Sequence, residues 1–201
     1  MLATDLRAER RAGKRAAIVA EAWTIARRDG LGALSLHGLA AAVGLRQPSL
    51  YVYFDSKLAL YDALFADGYE QLLAFTRQRD YTGNPRAALV GMLRDQVEWA
   101  GADVVRYQML FQRTIPGFEP SPESWALALE FYEIATDILR NAGLTQQAEV
   151  DLFSAVVSGM SSQQAANDPG GTRWAQHAEL AVDMFLTAAK RRSTTRSGGT
   201  A

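Results

Sequence analysis

Residues 35–60 read SLHGLAAAVGLRQPSLYVYFDSKLAL, with two short apolar segments separated by a glycine and followed by the start of a longer one. Ser35 precedes the first segment and can cap a helix through its hydroxyl. Gly44 ends that segment, and Pro48 lies in the first turn of the next, where a missing N–H costs little. Two short helices joined by a tight glycine turn form a helix-turn-helix. The stretch therefore predicts such a motif, with its second helix over residues 46–54.

The rest of the chain has a helical pattern, because apolar residues recur at steps of three and four and no window alternates like a strand. The predicted fold class is all-α, with a head of three short helices followed by a larger bundle of about six. The first helix is expected over residues 13–28. We expect an arm and head over 1–57, a body over 58–190, and a polar, glycine-rich tail over 191–201 that is disordered.

The composition excludes several kinds of site and location. The 201 residues include no cysteine, so disulfides, thiolate metal sites and cysteine nucleophiles are excluded. No apolar run approaches the roughly 20 residues that span a bilayer, and the start MLATDLRAERRAGKR lacks the apolar centre of a signal peptide. We therefore expect a cytoplasmic protein without a membrane partner.

The charge is distributed unevenly although the net charge is only -1. Residues 1–57 contain nine Lys or Arg against five Asp or Glu, a net charge of +4. Residues 58–201 contain twelve against seventeen, a net charge of -5. The asymmetry is explained either by a solvated charge run or by a head that binds a polyanion.

Enzymatic motifs are absent from the sequence. The only histidines, His37 and His177, belong to no metal-binding spacing, and there is neither a phosphate-binding glycine loop nor a serine-elbow motif. We expect no enzyme, no cofactor and no metal. A helical enzyme, or an adaptor whose aromatic head binds a protein, remains the alternative of a different class.

In a helix-turn-helix, the second helix enters the major groove with its N-terminal residues nearest the bases. Those residues here are Arg46, Gln47, Pro48 and Ser49. Leu50 and Phe54 are apolar and are expected in the core of the head. The motif thus predicts a DNA-binding surface at the start of the second helix.

The segment Ser35 to Leu60 closely resembles the DNA-binding domain of the TetR family of transcriptional repressors. The diagnostic part is GLRQPSLYVYFDSKLAL: a glycine turn, a Leu-Tyr pair, an aromatic-Phe pair and a Ser-Lys that opens a long helix. The resemblance is strong over residues 14–65. The phrases LFQRTIPGFEPSPES and SGMSSQQAANDPGG resemble one subgroup of the C-terminal domains of this family.

The resemblance implies a DNA-contacting set that combines groove-facing side chains with phosphate contacts. Tyr51 and Tyr53 would reach the DNA backbone through their hydroxyls, and Lys57 would bind a phosphate from the start of the fourth helix. The full set is Ser35, His37, Arg46, Gln47, Pro48, Ser49, Tyr51, Tyr53 and Lys57.

Two departures from the family pattern affect this set. Arg46 stands where many members have a serine or threonine. The second helix of the motif, which is the third of the chain, therefore loses a side-chain cap worth about 1 kcal/mol. His37 and Gly38 stand where an arginine and an acidic residue are common, which weakens one phosphate contact. The N-terminal RAERRAGKR either compensates by entering the minor groove or is a disordered solubilising arm.

The middle of the body is rich in large, adaptable side chains, and the resemblance implies a small-molecule pocket there. Packing in the core is the other explanation for such residues. The candidate ligand-binding residues are Phe65, Met92, Gln96, Trp99, Tyr107, Met109, Phe111, Trp125 and Phe131. No cluster of charge accompanies them, so we expect a neutral or mostly apolar effector.

Specific operators usually require a two-fold dimer that spans adjacent half-sites, so a dimer surface is expected. The last two helices are the candidates, although their apolar stripes can equally be core. The candidate interface residues are Phe153, Val156, Val157, Met160, Trp174, Ala178, Ala181, Met184 and Phe185.

Together the resemblance implies a ligand-responsive transcriptional regulator, a homodimeric repressor of a palindromic double-stranded operator that a small molecule releases. The operator sequence, the effector, the regulated genes and the choice between repression and activation are left open by the sequence.

Overall fold

The computed structural model describes the backbone of residues 2–197 and the side chains of residues 7–190. Over this part of the chain the fold is all-α, as the helical pattern predicts. Two short 3₁₀ turns, Leu31–Ala33 and Ala175–His177, accompany the α-helices. The α-helices are α1 (Leu2–Asp29), α2 (Leu36–Ala42), α3 (Gln47–Leu50), α4 (Lys57–Arg77), α5 (Pro85–Ala102), α6 (Val104–Phe111), α7 (Pro122–Asn141), α8 (Gln147–Asn167) and α9 (Ala178–Ser197).

The first helix is longer than the sequence pattern predicts. It begins at Leu2 rather than near Gly13, so the RAERRAGKR segment is helical and forms no separate irregular arm. Alanine, arginine, lysine and glutamate are all good helix formers, and one glycine costs about 1 kcal/mol without ending a helix. Apolar periodicity did not reveal this part of the helix, because the side chains of residues 7–12 are exposed and no apolar side is required there.

The third helix is shorter than expected. It covers Gln47–Leu50 instead of residues 46–54, and a turn follows it. The N–H of Tyr53 donates to the carbonyl of Leu50 at 2.9 Å, an i to i+3 bond that tightens the chain after the helix. Arg46 occupies the N-cap position without a side-chain cap, as its lack of an oxygen acceptor predicts.

Polar side chains accept hydrogen bonds at three helix starts, and the first of these bonds confirms the predicted Ser35 cap. Ser35 accepts a hydrogen bond from the N–H of Gly38 at 3.1 Å, and Ser56 accepts one from Ala59 at 3.0 Å. Asn84 accepts one from Ala87 at 3.1 Å. These bonds satisfy N–H groups that have no partner within their own helices.

The chain divides into two compact units, each with its own core. Unit 1 comprises the chain up to Leu73 together with Gln108–Ala128, and unit 2 comprises Ala74–Tyr107 and the chain from Leu129 onward. The expected boundary of the head after residue 57 therefore lies inside unit 1.

Each unit buries apolar side chains from several of its own helices. In unit 1, Ile18 and Ala22 of α1 are buried, as are Leu39 of α2, Leu50 of α3 and Leu64 of α4. In unit 2 the core joins α5, α7, α8 and α9, and its buried members include Leu89, Leu93, Leu139, Phe153 and Val182.

The end of α9 differs from the expected disordered tail. The backbone of residues 191–197 continues as helix, while residues 198–201 and all side chains beyond Lys190 lie outside the described part. Polarity lowers the tendency of a segment to pack, but it does not prevent an existing helix from continuing. Among the described residues, no helix is long and apolar enough to cross a membrane.

Candidate nucleic-acid interface

The candidate interface is built around the turn between α2 and α3. Gly44 has a φ of 68°, a left-handed conformation that side chains other than glycine rarely adopt. The N–H of Leu45 donates to the carbonyl of Ala40 at 2.8 Å and closes the end of α2. The turn thereby ends α2, and α3 begins at Gln47.

The side chains of α3 separate into a buried and an exposed set. Leu50 and Phe54 are almost fully buried, which confirms their predicted place in the core of the head. Arg46, Pro48 and Ser49 are exposed, and Gln47 is partly exposed. The polar residues at the start of α3 therefore form a surface that is accessible to a binding partner outside the head.

His37 and Gln47 come together across this surface. Nδ1 of His37 lies 3.4 Å from Oε1 of Gln47, so the imidazole can donate a hydrogen bond when that nitrogen carries a proton. The contact joins the first turn of α2 to the first turn of α3. It leaves the amide nitrogen of Gln47 available as a donor, which suits the acceptors of a base edge.

The remaining predicted contacts lie at the end of α3 and the start of α4. Tyr51 is 45% exposed and Tyr53 is partly exposed, so both hydroxyls can reach the surface. Lys57 donates from Nζ to the carbonyl of Gly32 at 3.2 Å, and its ammonium lies 5.4 Å from the ring centroid of Tyr61. These contacts hold the cation near the first turn of α4, where peptide N–H groups also attract an anion.

Cations of α1 lie beside this surface, and the sequence did not place them there. Nη2 of Arg11 donates to the carbonyl of Val52 at 2.9 Å, and Nζ of Lys14 donates to the carbonyl of Val43 at 3.4 Å. The guanidinium of Arg15 lies 5.0 Å from the ring centroid of Phe54. The basic composition of this segment was visible in the sequence, but its position depends on the helical continuation of α1.

Hydrogen bonds attach the head to α4. The Tyr61 hydroxyl donates to the carbonyl of Leu31 at 2.7 Å in a buried environment. The Trp23 indole N–H donates to the Asp67 carboxylate at 2.7 Å, which joins α1 to α4. A rotation of α4 must therefore move the head with it or break these bonds.

The same helix is attached to the start of α7. Both the N–H and the hydroxyl of Ser121 donate to the Asp62 carboxylate, at 2.8 and 2.9 Å. Asp62 is adjacent in sequence to Tyr61, so neighbouring residues of α4 contact the head and the segment that opens α7. We call the Asp62–Ser121 contact the clasp.

An aromatic cluster within unit 1 lies next to the clasp. Phe65 lies 4.9 Å from Tyr69 and 6.5 Å from Trp125 between ring centroids, and Phe118 lies 6.1 Å from both Tyr61 and Phe65. The sixth member, Phe111, lies 6.0 Å from Tyr69. Burial raises the pKa of Tyr69 well above its usual value, so its hydroxyl stays protonated.

Of the nine candidate ligand residues, three belong to this aromatic cluster, namely Phe65, Phe111 and Trp125. Met109 is buried in unit 1, and the five others belong to unit 2. Met92 packs against the core of unit 2. Gln96, Trp99 and Tyr107 are buried, and Phe131 is partly buried.

Three cluster members, Tyr61, Tyr69 and Phe118, were not among the candidates, because nothing in their spacing separates them from core residues.

The candidate dimer residues do not all reach the surface. Phe153 and Ala178 are fully buried in the core of unit 2, so their placement in an interface was wrong. Val157, Met160, Trp174, Ala181 and Phe185 pack partly against the same core, and Val156 is partly buried. Met184 is 66% exposed. A periodic stripe does not tell which of its members face the interior of the monomer.

Two exposed leucines of these last two helices were not among the candidates. Leu180, on the same side of α9 as Met184, is 61% exposed, and Leu152 on α8 is 49% exposed. Ala155 and Gly159 follow Leu152 at steps of three and four and are also exposed. These five residues, Leu152, Ala155, Gly159, Leu180 and Met184, are called the exposed stripe of unit 2.

Among the described side chains, no group of three or more His, Asp or Glu residues could hold a metal ion. The features gathered on the head are instead exposed polar side chains and cations around a short helix. They are suited to contact an anion with hydrogen-bonding edges, as a DNA groove provides.

Residues 18–64 match the family model for bacterial regulatory proteins of the tetR family. The matched range contains α2, α3 and the Ser56 cap of α4. No curated protein matches the chain significantly in sequence. The match covers the helix-turn-helix, so this part of the chain is similar to the DNA-binding domain of that family of regulatory proteins.

Solved structures resemble the chain over most of its length. SCO4313 is 24% identical with a TM-score of 0.71, over 89% of this chain and 98% of that one. The TetR family transcriptional regulator PfmR from Thermus thermophilus is 24% identical with a TM-score of 0.62, over 85% and 97%. The transcriptional regulator FadR from Bacillus subtilis, in complex with stearoyl-CoA, is 13% identical with a TM-score of 0.62, over 84% and 95%. At these identities the likeness shows the fold.

The buried hydroxyl of Tyr61 provides a stability test of the attachment of the head. Tyr61→Phe keeps the ring and removes the hydrogen bond to Leu31, so we expect a loss of about 1 kcal/mol in the free energy of unfolding. Tyr51→Phe removes an exposed hydroxyl and should change stability by less than about 0.5 kcal/mol. Urea denaturation of both variants measures the difference. Equal stabilities would contradict the role given to the Tyr61 bond.

Proposed function

We propose that this chain, whose head is similar to the tetR family model, is a repressor that binds a palindromic DNA operator as a homodimer and is released by a small molecule. The observation that carries this proposal is the exposed polar start of α3 on a helix-turn-helix whose apolar side is buried. Such a helix can insert into a major groove about 12 Å wide.

The DNA-contacting residues divide by role. Gln47 reads a base edge, because its amide supplies both donor and acceptor close to the start of α3. Arg46 and Ser49 flank it and contact a base or a phosphate, and Ser35 and His37 border the groove from α2. Tyr51, Tyr53 and Lys57 contact the phosphate backbone and set the register of α3 in the groove.

The dimer forms through the exposed stripe of unit 2. Exposed apolar side chains on neighbouring positions of two helices mark an interaction surface in a soluble protein. A second copy of the chain presents the same stripe, and the small residues Ala155 and Gly159 allow close approach of the helices. The half-sites of operators that bind such dimers lie about 34 to 36 Å apart.

The effector contacts the aromatic cluster of unit 1. Trp125 is half exposed while Phe65 beneath it is buried, so the cluster offers an apolar surface that a ligand can reach. The FadR structure with stearoyl-CoA supports an effector with a long apolar chain in this fold. Movement of the Ser121–Trp125 segment would act on α4 through the clasp. The bond from Tyr61 to Leu31 would then carry the movement to the head.

The energetics of release follow from linkage. An effector shifts the equilibrium only by the difference between its affinities for the DNA-binding arrangement and the released one. Coupling free energies are typically about 1 to 3 kcal/mol, or about 5- to 150-fold in operator affinity.

A gel shift tests DNA binding and the roles of individual residues. A duplex from the region upstream of the chain's own coding sequence should be retained specifically, and more weakly as salt rises. Lys57→Ala should weaken binding to all sequences alike, whereas Gln47→Ala should change the order of preference among them, by about 1 to 3 kcal/mol at one base pair. Absence of specific retention would refute the proposed function. An unchanged preference in Gln47→Ala would refute only its role as a base reader.

Sedimentation equilibrium tests the dimer surface. Met184→Asp places a carboxylate on the exposed stripe and should convert the dimer to a monomer, because an unpaired charge cannot be buried without a large cost. Leu129→Asp on α7 is the matched control, since Leu129 is also an exposed apolar residue and is similar in size to Met184. If Leu129→Asp dissociates the protein and Met184→Asp does not, the interface involves α7 instead.

Operator release by three related probes tests the class of effector. Stearate and stearoyl-CoA carry the long apolar chain, while coenzyme A lacks it. We expect the first two to lower operator affinity at least fivefold and coenzyme A to leave it unchanged. Trp125→Ala should reduce the response, because it removes the exposed face of the aromatic cluster. Release by coenzyme A alone would show that a polar group is recognised instead.

A further inference from the structure

One basic surface of the head has no place in the proposed function. Four cations, Arg7, Arg10, Arg11 and Lys14, lie within eight residues of α1. With about 3.6 residues per turn, they fall within an arc of about 100° on one side of the helix. Glu9 falls on the opposite side. We call these four residues the basic face of α1.

The basic face continues the side of α1 that enters the core. Ile18 lies on the same arc and is fully buried in the head. Toward the N-terminus the same side changes from apolar to cationic, while Arg7, Arg10 and Arg11 are exposed and Lys14 is partly exposed. A largely exposed helix side that collects positive charge is suited to an anionic partner.

Two of the four cations mark the position of this face relative to α3. Lys14 donates to the carbonyl of Val43, immediately before the turn that leads into α3. Arg11 donates to the carbonyl of Val52, immediately after the end of α3. The basic face therefore lies along the helix that would read the major groove, and Arg7 and Arg10 extend beyond the contact at Val52.

We propose that the basic face of α1 is a second phosphate-binding surface, which contacts the DNA backbone beside the groove that α3 occupies. This inference rests on the proposed DNA binding and adds contacts to it. Duplex DNA carries one negative charge per roughly 1.7 Å of its axis. The cations extend over about 10 Å of helix and can meet several phosphates. Arginine, which supplies three of the four, matches phosphate oxygens with two parallel donors.

The helical form decides which part of the duplex is contacted. A helix with its side chains is about 10 to 12 Å across, whereas the minor groove of B-DNA is only about 6 Å wide. An extended arm could follow that groove, but α1 cannot. The basic face therefore contacts phosphates from outside the grooves and contributes affinity without sequence preference.

The principal test separates phosphate contact from a purely structural role. Arg11 and Lys14 bind carbonyls of the head, so their loss can disturb α3 indirectly. Arg7→Ala/Arg10→Ala removes the two cations that extend beyond those bonds, and alanine preserves the helix. Arg94→Ala, an exposed arginine on α5 of unit 2, is the matched control for loss of positive charge. The probes are the upstream duplex and a random-sequence duplex of equal length.

The dependence of affinity on salt is the decisive measurement. Each lost phosphate contact lowers the slope of log affinity against log salt by about 0.9. We expect Arg7→Ala/Arg10→Ala to reduce the slope by about 1.8 on both duplexes. Between 50 and 200 mM salt, the factor by which affinity falls should therefore be about ten times smaller for the double variant than for the parent. Arg94→Ala should keep the parent slope, and all variants should keep the parent melting temperature.

A double variant with the parent affinity and the parent slope would overturn the inference. The proposed function would stand in that case, because the parent protein would still bind its operator and respond to Gln47→Ala. If the parent itself fails to retain the upstream duplex, the proposed function fails first. The two failures are thus distinguishable.

Gly13 provides a test of the helical form. The space around its α-carbon is open, with no atom within 4 Å of an added methyl group, so Gly13→Ala fits and favours the helix. If the basic face acts as a helix, Gly13→Ala should bind both duplexes as tightly as the parent or more tightly. A tenfold loss of affinity would show that the segment must unwind to bind DNA, which overturns contact by a helical face.

Discussion

The buried hydrogen bond from the Tyr61 hydroxyl to the carbonyl of Leu31 determines how the head is held on α4. Leu31 lies in the short turn between α1 and α2, so one donor on α4 fixes the connection of the first two helices. The same carbonyl also accepts from the N–H of Leu34 at 3.3 Å, and the additional bond from Tyr61 favours this register by about 1 kcal/mol. The orientation of α3 follows, since α3 packs through Leu50 and Phe54 into the same core.

The same region of α4 connects the head with the start of α7. Asp62 follows Tyr61 and accepts two hydrogen bonds from Ser121, and Phe65 lies one turn further along among aromatic rings. In the proposed mechanism α4 connects the effector site with the head, because within unit 1 it contacts both the aromatic cluster and Leu31.

The sequence predicted the helix-turn-helix well, because its determinants are local. The Ser35 cap, the left-handed Gly44 turn and the buried pair Leu50 and Phe54 depend on residues that lie within a few positions of one another. The N-terminal half of α1 was not predicted, since it has no apolar periodicity. Its helicity comes from residue propensities and from an adjoining helix that is already nucleated.

The candidate residues of the body were harder to assign for a physical reason. Phe153 and Met184 have the same apolar character in the sequence, yet one is enclosed by the core of unit 2 and the other is exposed. Helical periodicity identifies an apolar side but not the neighbour that covers it. Similarly, nothing in the spacing of Tyr61, Tyr69 and Phe118 distinguished an aromatic cluster from ordinary packing.

By itself the sequence determined the all-helical class, the reading motif and the identity of the residues at the start of α3. Capping, glycine turns and binary pattern act over fewer than ten residues and are legible along the chain. Only the tertiary structure decided that Arg11 and Lys14 flank α3, that Asp62 holds Ser121 and that Leu180 and Met184 remain uncovered. Those facts depend on contacts between residues far apart in sequence, and a side chain's local pattern does not specify its distant partner.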